Sequence, residues 1–413
     1  MITNITLQNF KCFRRISVDP KLITVFIGPN GTGKSGVLQA LLLLKQSRNS
    51  VDPLVLDGEL VRFAPEAFMW RGPESRVDGV RLFLSGCSVI NSVEVQVPLE
   101  FKVDLQYSEQ ANLTADRGST KWSTPGQDYE LTFARDGQIP QVITSEGLLH
   151  YMVTPAVNSF RIMSGLRGDD PTLPLWNQVS QVPVKTLSKL GFVPAARGLT
   201  QGVYALGTET SDDISGADGL GAQEDNTATT LAYSRREVEK VSLLMKQITG
   251  VGFRVDTVPP QSAKPVSESI AGDLSILAEG FGTNALVHLL FELVRTVPGA
   301  TVLIEEPEIH LHPKAQADLA SVLADQATSG DKQMIITTHS EHVVGRLLTL
   351  VAEGKLAADE LAIYSFEKDE GGACSASEIE VTDRGQVSGG LKSFFETDLD
   401  EMKRYVEALR AKV

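Results

Sequence analysis

The chain has 413 residues, with 38 Lys and Arg against 52 Asp and Glu, a formal charge of −14. At 42% hydrophobic and 22% charged residues it is an ordinary globular composition with room for two or three domains, or one composite domain with insertions. The acidic balance argues against a protein held to nucleic acid mainly by nonspecific phosphate contacts, so any such binding needs a local basic patch. No run approaches the ~18 apolar residues that cross a bilayer. The amino terminus alternates like a strand rather than a signal peptide, and a cytoplasmic protein with no membrane partner is expected. Cys12, Cys87 and Cys374 are too few and too scattered for a disulfide framework or a zinc site, and read as plain core or surface thiols.

Residues 2–27 read as strands with turns, ending in the continuous apolar run Leu22–Ile27 of a strand buried on both faces. Gly28-Pro29-Asn30-Gly31-Thr32-Gly33-Lys34-Ser35 follows, a complete GxxxxGK[ST] phosphate loop, and Val37, Leu38, Leu41 and Leu42 then recur at helical spacing to about Lys45. The glycines let the amides of Asn30, Gly31, Thr32 and Gly33 turn toward phosphate oxygens, with the positive end of the helix dipole beneath them. Lys34 is expected on the β and γ phosphates and Ser35 on Mg²⁺, which makes this a nucleotide-binding protein. Lys11, Arg14 and Arg15 near the first hairpin, and Arg235, Arg236 and Lys240 on a predicted helix, are the candidate basic patches; solvated charge is the plainer reading of each.

Residues 51–150 are strand-rich. Every odd position from Val93 to Tyr107 is apolar, which predicts a strand with one wet face, broken or at an edge near Pro98. Tyr129, Leu131 and Phe133 alternate before Asp136-Gly137, a hairpin turn signal. Residues 207–229 are rich in Gly, Asp, Ser and Thr and predict a mobile loop, read as a linker. Val238, Val241, Met245 and Ile248 then predict a helix, stopped by Gly250, that packs on the core.

A phosphate loop needs acids on a neighbouring strand for catalysis. Thr301–Glu306, an apolar strand ending in two acids, supplies them, with Glu305 on the metal and Glu306 as general base. Glu279-Gly280-Phe281-Gly282-Thr283-Asn284 opens an amphipathic helix carrying Leu286, Leu289, Leu290 and Leu293, and a second apolar strand, Gln333–Thr338, ends in His339-Ser340.

In order and residue type these segments resemble ABC-type ATPases of the group containing structural-maintenance-of-chromosomes proteins, the RecF recombination protein and the overcoming-lysogenization-defect (OLD) ATPases. The opening Ile5–Phe13, the phosphate loop, Leu41–Gln46, the stretch Glu305–Pro313 and Thr337–Ser340 carry the likeness, closest to the bacterial and archaeal predicted ATPases that share Leu54–Leu60. It is specific over about 1–60 and 275–345 and thin between.

The resemblance implies an α/β fold, an ABC-type P-loop core with a mixed sheet interrupted by an insertion. Residues 1–60 would form the first half of the core, 61–270 a β-rich then helical insertion, and 271–413 the second half with a terminal hairpin and helix. No sustained heptad pattern appears, so the insertion should be globular rather than a coiled-coil arm. ATP and Mg²⁺ would be sandwiched between two subunits of a homodimer or higher even oligomer, with Gly280, Phe281, Gly282 and Thr283 as the signature reaching the partner's γ phosphate, though they depart from the usual LSGGQ. By the same resemblance His339 is the switch histidine, Gln46 the candidate loop glutamine sensing Mg²⁺, and Glu308-Ile309-His310-Leu311-His312 the D-loop rather than a metal site. Glu305 replaces the usual Asp, which lengthens the arm to the metal.

Some OLD-type ATPases carry a TOPRIM nuclease after the motor. Asp398-Leu399-Asp400 mimics its DxD but lies at the start of a helix with Leu399, Met402, Val406 and Leu409 on one face, so helix capping is expected there and no nuclease. The resulting expectation is an ATP-hydrolysing, dimerising switch acting on double-stranded DNA or on a separately encoded effector such as a nuclease, in genome maintenance or phage defence. A transporter ATPase subunit predicts a short insertion and a standard signature; a low-turnover regulatory module is at odds with the Glu306 and His339 pair.

Overall fold

The computed structural model describes residues 1–48, 54–64, 69–70, 80–91, 96–107, 115–124, 127–134, 141–144, 147–149, 182–206, 224–258, 262–269, 272–387 and 404, with backbone alone over 88–149. The strands in chain order are β1 (Ile2–Phe10), β2 (Phe13–Val18), β3 (Ile23–Ile27), β4 (Val80–Asn91), β5 (Gln96–Tyr107), β6 (Ala115–Thr124), β7 (Gln127–Ala134), β8 (Gln141–Thr144) and β9 (Gly147–Leu149). They continue with β10 (Leu190–Val193), β11 (Tyr204–Ala205), β12 (Gly252–Val258), β13 (Ser262–Ser269), β14 (Gly272–Ser275), β15 (Thr301–Glu305), β16 (Gln333–Thr337), β17 (Leu361–Lys368) and β18 (Cys374–Ile379). The helices are α1 (Lys34–Ser47), α2 (Val182–Ser188), α3 (Glu224–Tyr233), α4 (Arg235–Thr249), α5 (Phe281–Arg295), α6 (Pro313–Thr328) and α7 (Glu341–Ala352).

A mixed sheet in the order β10-β15-β16-β3-β17-β18 forms the centre, parallel from β10 to β17 and closed by the antiparallel β18. Its strands β3 and β16 are buried at every position, which is why they read as unbroken apolar runs. Successive side chains divide between two cores. Val302, Ile304, Met334 and Ile336 face α3 to α7, whereas Leu303 and Ile335 face α1 and the antiparallel sheet. That second sheet runs β2-β1-β4-β5-β6-β7-β8-β9, and α1 lies between the two sheets with Val37, Leu38 and Ala40 to Leu44 all buried. Buried Gln333 joins the sheets: its amide accepts from Ile2 N at 2.9 Å and donates to Ile2 O at 2.7 Å. A smaller sheet of β11, β13, β12 and β14 flanks α3.

Several expectations hold in detail. Helix α4 buries Val241, Met245 and Ile248 and ends at Gly250, φ 77°. Pro98 pairs with Val89 of β4, and the β6 ladder ends at Glu100, so Pro98 is paired on one side only. Others change. The boundaries at 60 and 270 are crossed by two ladders, β4 on β1 and β10 on β15, so part of the expected insertion is built into the core sheets. Residues 224–229, expected in the loop, begin α3, because buried Thr227 bonds His288 Nδ1 at 3.0 Å and Leu231 packs in the core. Helix α5 is buried on nearly every side rather than amphipathic, since α4 covers the face turned from the sheet. Residues 207–223, Asp136-Gly137, Asp398–Asp400 and the final helix face lie outside the described residues. Among the described residues no helix is long and apolar enough to cross a membrane.

Two buried ionisable groups one turn apart on α5 give the fold a compensated pH response. Burial, helped by Arg197, holds His288 down to about 4, so from its ordinary 6.5 downward the unfolded chain takes up a proton that the folded chain refuses, and stability falls with acid. Burial pushes Glu292 up to about 7, so the folded chain keeps a proton that the unfolded chain loses at 4.5, and stability falls as pH rises through this range. Between 4.5 and 6.5 the two slopes oppose each other. Glu292→Gln removes one of them, and its melting temperature should drop more steeply than that of the wild type on acidification through that window. Parallel melting curves for the two proteins would contradict this reading.

Candidate functional site

The phosphate loop is shaped by what packs under it. Gly28 has φ 139°, and a Cβ there would stand 2.3 Å from the Phe366 carbonyl oxygen. Gly33, the N-cap of α1, has φ 95°, and a Cβ there would meet Cys12 Sγ and Phe13 Cζ at 2.6 Å. Both positions therefore require glycine for conformation and for space. Thr32 is buried and its hydroxyl donates to Pro29 O at 2.8 Å, closing the loop on itself. Lys34 Nζ donates to Gly28 O at 2.7 Å and Pro29 O at 2.9 Å, which holds the ammonium over the loop. Burial lowers its pKa, and Glu306 and Glu308 act to raise it.

The acids arrive on β15. Thr337 of β16 pairs with Glu305 on one side and Phe26 of β3 on the other, so the carboxyl ends of three parallel strands lie level, the position where open α/β sheets bind ligands. Glu306 has φ 41° and donates its N–H to Thr337 O at 2.9 Å. This turns its carboxylate toward His339, with Oε1 4.0 Å from Nε2. Burial and Lys34 lower the His339 pKa, which favours the neutral imidazole, against a smaller opposing pull from Glu306. Glu308 is buried and accepts from His339 N at 2.7 Å, so a carboxylate ties the turn after β15 to the segment after β16. Burial raises the Glu305 pKa, offset by hydrogen bonds from Ala195 N and the Ser35 hydroxyl.

Asn30, Gly31, Gly33, Lys34, Ser35, Glu306 and His339 line one cleft of about 730 Å³, and Glu305 reaches it through Ser35. Two sets of expected residues lie elsewhere. Gln46 sits near the far end of α1, where its amide donates to Val61 O at 3.0 Å and to Val55 O and accepts from Val61 N at 3.0 Å; it pins the segment after the helix and is not a cleft residue. Gly280, Phe281, Gly282 and Thr283 begin α5 outside this cleft, with Phe281 78% exposed and its ring 5.6 Å from that of His310. His312 Nδ1 accepts from Lys314 N at 3.3 Å as the N-cap of α6, and no metal-holding cluster of His, Cys, Asp or Glu occurs among the described residues.

Other cleft residues carried no usable signal in the sequence. Lys11, read as a candidate basic-patch residue or plain solvated charge and not as a nucleotide-site residue, bonds Gln39 and lies 5.1 Å over the Phe63 ring. Met69 and Trp70 also line the cleft, anchored by the hydrogen bond from Trp70 N to Asn9 O at 2.9 Å. Cys12 also lines the cleft; burial and the neighbouring Cys374 push its thiol up to about 12, which favours the thiol over the thiolate. Arg197, on the loop after β10, donates to the carbonyls of the acidic turn, and a lone arginine after a short apolar strand gave no hint of that.

Comparison with known proteins places the family and the fold. The chain is 24% identical over 353 residues to the OLD nuclease of Thermus scotoductus, covering 82% of this chain and 59% of that protein, so it spans well under two thirds of the relative's length. A stretch of 44 residues, 10% of the chain and 4% of the relative, is 46% identical to the chromosome partition protein Smc of Methanocaldococcus jannaschii. The crystal structure of an Smc head bound to the C-winged helix domain of ScpA superposes with a TM-score of 0.51 at 12% identity, covering 92% of this chain and 98% of that one, a likeness of fold. The AAA ATPase domain family matches residues 1–114 and 227–344, more than half of the chain and both sides of the cleft, and the chain belongs to that family.

Proposed function

We propose that this chain is an ATP-driven dimerising switch in which the phosphate loop and Lys34 hold the phosphates, Ser35 and Glu305 hold Mg²⁺, Glu306 takes the proton of the attacking water and neutral His339 orients that water or the γ phosphate. The observation that carries the reading is the convergence of the phosphate loop, Glu306 and His339 on one cleft at the level ends of three parallel strands. A general base must lie within reach of the water's proton, and Glu306 faces the same space as Lys34. The Ser35 hydroxyl and Glu305 carboxylate form an all-oxygen donor pair that suits Mg²⁺, and both stand beside the loop. Magnesium there would neutralise charge on the phosphate oxygens.

Gly280 to Thr283 lie outside the lining of their own cleft, with Phe281 exposed, so as a signature they would serve a second subunit's ATP. ATP would then close a homodimer or higher even oligomer, and hydrolysis would reopen it. The likeness to an OLD nuclease and to Smc supports double-stranded DNA, or a separately encoded effector such as a nuclease, as what the switch controls in genome maintenance or phage defence. A cytoplasmic setting belongs to the same reading.

A site completed by two subunits makes turnover per subunit rise with protein concentration, and Phe281→Asp should abolish that rise while leaving ATP affinity within about threefold; concentration-independent turnover would contradict the dimer. Lys34→Ala should lower ATP affinity at least about tenfold in an equilibrium titration, about the loss of one charge-assisted phosphate contact. Phosphate release should increase on adding double-stranded DNA if DNA is the controlled partner, and DNA-indifferent turnover would point to a protein effector.

A further inference from the structure

We infer that Arg197 is a positioning residue that sets the conformation of Glu306 and ties it to the first turn of α5; the inference rests on the role proposed above for Glu306. Where β15 ends, three successive carbonyl oxygens have left the sheet ladder and converge on one side of the turn. Arg197 Nη1 donates to Glu305 O at 2.9 Å, and Nη2 donates to Glu306 O at 3.1 Å and Pro307 O at 2.9 Å. The same guanidinium donates to Pro194 O at 2.9 Å and Ala195 O at 3.4 Å, so its own loop is folded around it. A planar fork serves carbonyls from two separate nitrogens at fixed angles, whereas a lysine ammonium has its three donors on one atom and cannot span the same set.

The need for such a clamp follows from the backbone. Glu306 is a non-glycine residue at φ 41°, a conformation that costs on the order of 1–2 kcal/mol and persists only where its surroundings enforce it. Its N–H is held by Thr337 O and its carbonyl by Arg197, so both ends of the residue are fixed and the carboxylate is left to point at the cleft. Burying a cation for this purpose is expensive, and burial brings the Arg197 pKa down to about 10 even with Glu308, Glu306 and Glu305 nearby.

The loop has a second attachment. Gly198, φ 134°, lets the chain reverse, and Leu199 then exchanges two hydrogen bonds with the Asn284 side chain: Leu199 N to Oδ1 at 2.8 Å and Asn284 Nδ2 to Leu199 O at 2.9 Å. Asn284 lies in the first turn of α5, its N–H bonded to Gly280 O at 3.3 Å. Three residues of loop, Arg197 to Leu199, therefore join the start of α5 to the turn that holds Glu306, and a displacement of that helix start is carried to Glu306 through Arg197.

Steady-state turnover and equilibrium ATP binding of the full chain, measured for Arg197→Lys and Asn284→Ala, test the assignment. Each should lower kcat, by about 10- to 100-fold for Arg197→Lys as expected of a misplaced catalytic group, with ATP affinity within about threefold of the wild type. In a Glu306→Gln background Arg197→Lys should cause no further loss, a result that general loosening of the fold does not produce. Asn284→Ala leaves the buried arginine in place, so it tests the link even if Arg197→Lys folds poorly. Wild-type kcat in either variant, or a loss of ATP affinity matching the loss of turnover, would overturn the inference. Turnover that survives in Glu306→Gln alone would overturn the role of Glu306 as well, whereas turnover lost there but kept in Arg197→Lys would overturn this inference only.

Discussion

The parallel register of β15, β16 and β3 is the constraint on which the site depends. Because Glu305, Thr337 and Phe26 stand side by side, the acidic turn, the segment bearing His339 and the phosphate loop all leave the sheet at one level. A one-residue slip of β16 would move His339 by about 3.3 Å and turn Met334 and Ile336 from the helical core to the opposite face. Burial on both faces makes that slip costly, so the hydrophobic effect that folds the sheet also fixes the chemistry at its edge. Gln333 extends the constraint to the antiparallel sheet, and Phe13 with Cys12 then carries it under Gly33.

The cleft also concentrates charge at a place where water is partly excluded. Lys34, Glu305, Glu306, Glu308 and Arg197 lie close together, and burial shifts Lys34 and Arg197 down and Glu305 and Glu308 up. Four of these charges are hydrogen bonded to a fixed partner, which offsets the cost of their burial: the ammonium to loop carbonyls, Glu305 to Ser35 and Ala195 N, Glu308 to His339 N, the guanidinium to the turn. Such a lattice suits a ligand that is itself multiply charged.

How much of this was legible in the sequence depended on whether a residue's role is local. Gly28 to Ser35 could be read because a phosphate loop needs its residue types at fixed spacing, and Glu306 and His339 because each directly follows an apolar strand. The fully buried β3 and β16 were plain from unbroken apolar runs, and β5 from alternation. Arg197, Lys11 and Trp70 were not legible as site residues, since only the tertiary fold brings them to the cleft or the acidic turn. Gln46 misled for the complementary reason: a glutamine after a helix of this group suggested a metal sensor, but here the helix runs on to Ser47 and spends the amide on the backbone at 55 and 61. The four-residue β10 was too short to separate from its surroundings, although it completes one edge of the central sheet.

The most direct test of the account is to measure ATP binding and ATP hydrolysis on the same preparation of Glu306→Gln, with Mg²⁺ present. Removing the carboxylate charge while keeping the shape of the turn should leave binding at the wild-type level and lower turnover by about 100-fold or more, the contribution of a positioned general base. Turnover that stays at the wild-type rate with binding intact would contradict the assignment of the cleft's chemistry to the end of β15.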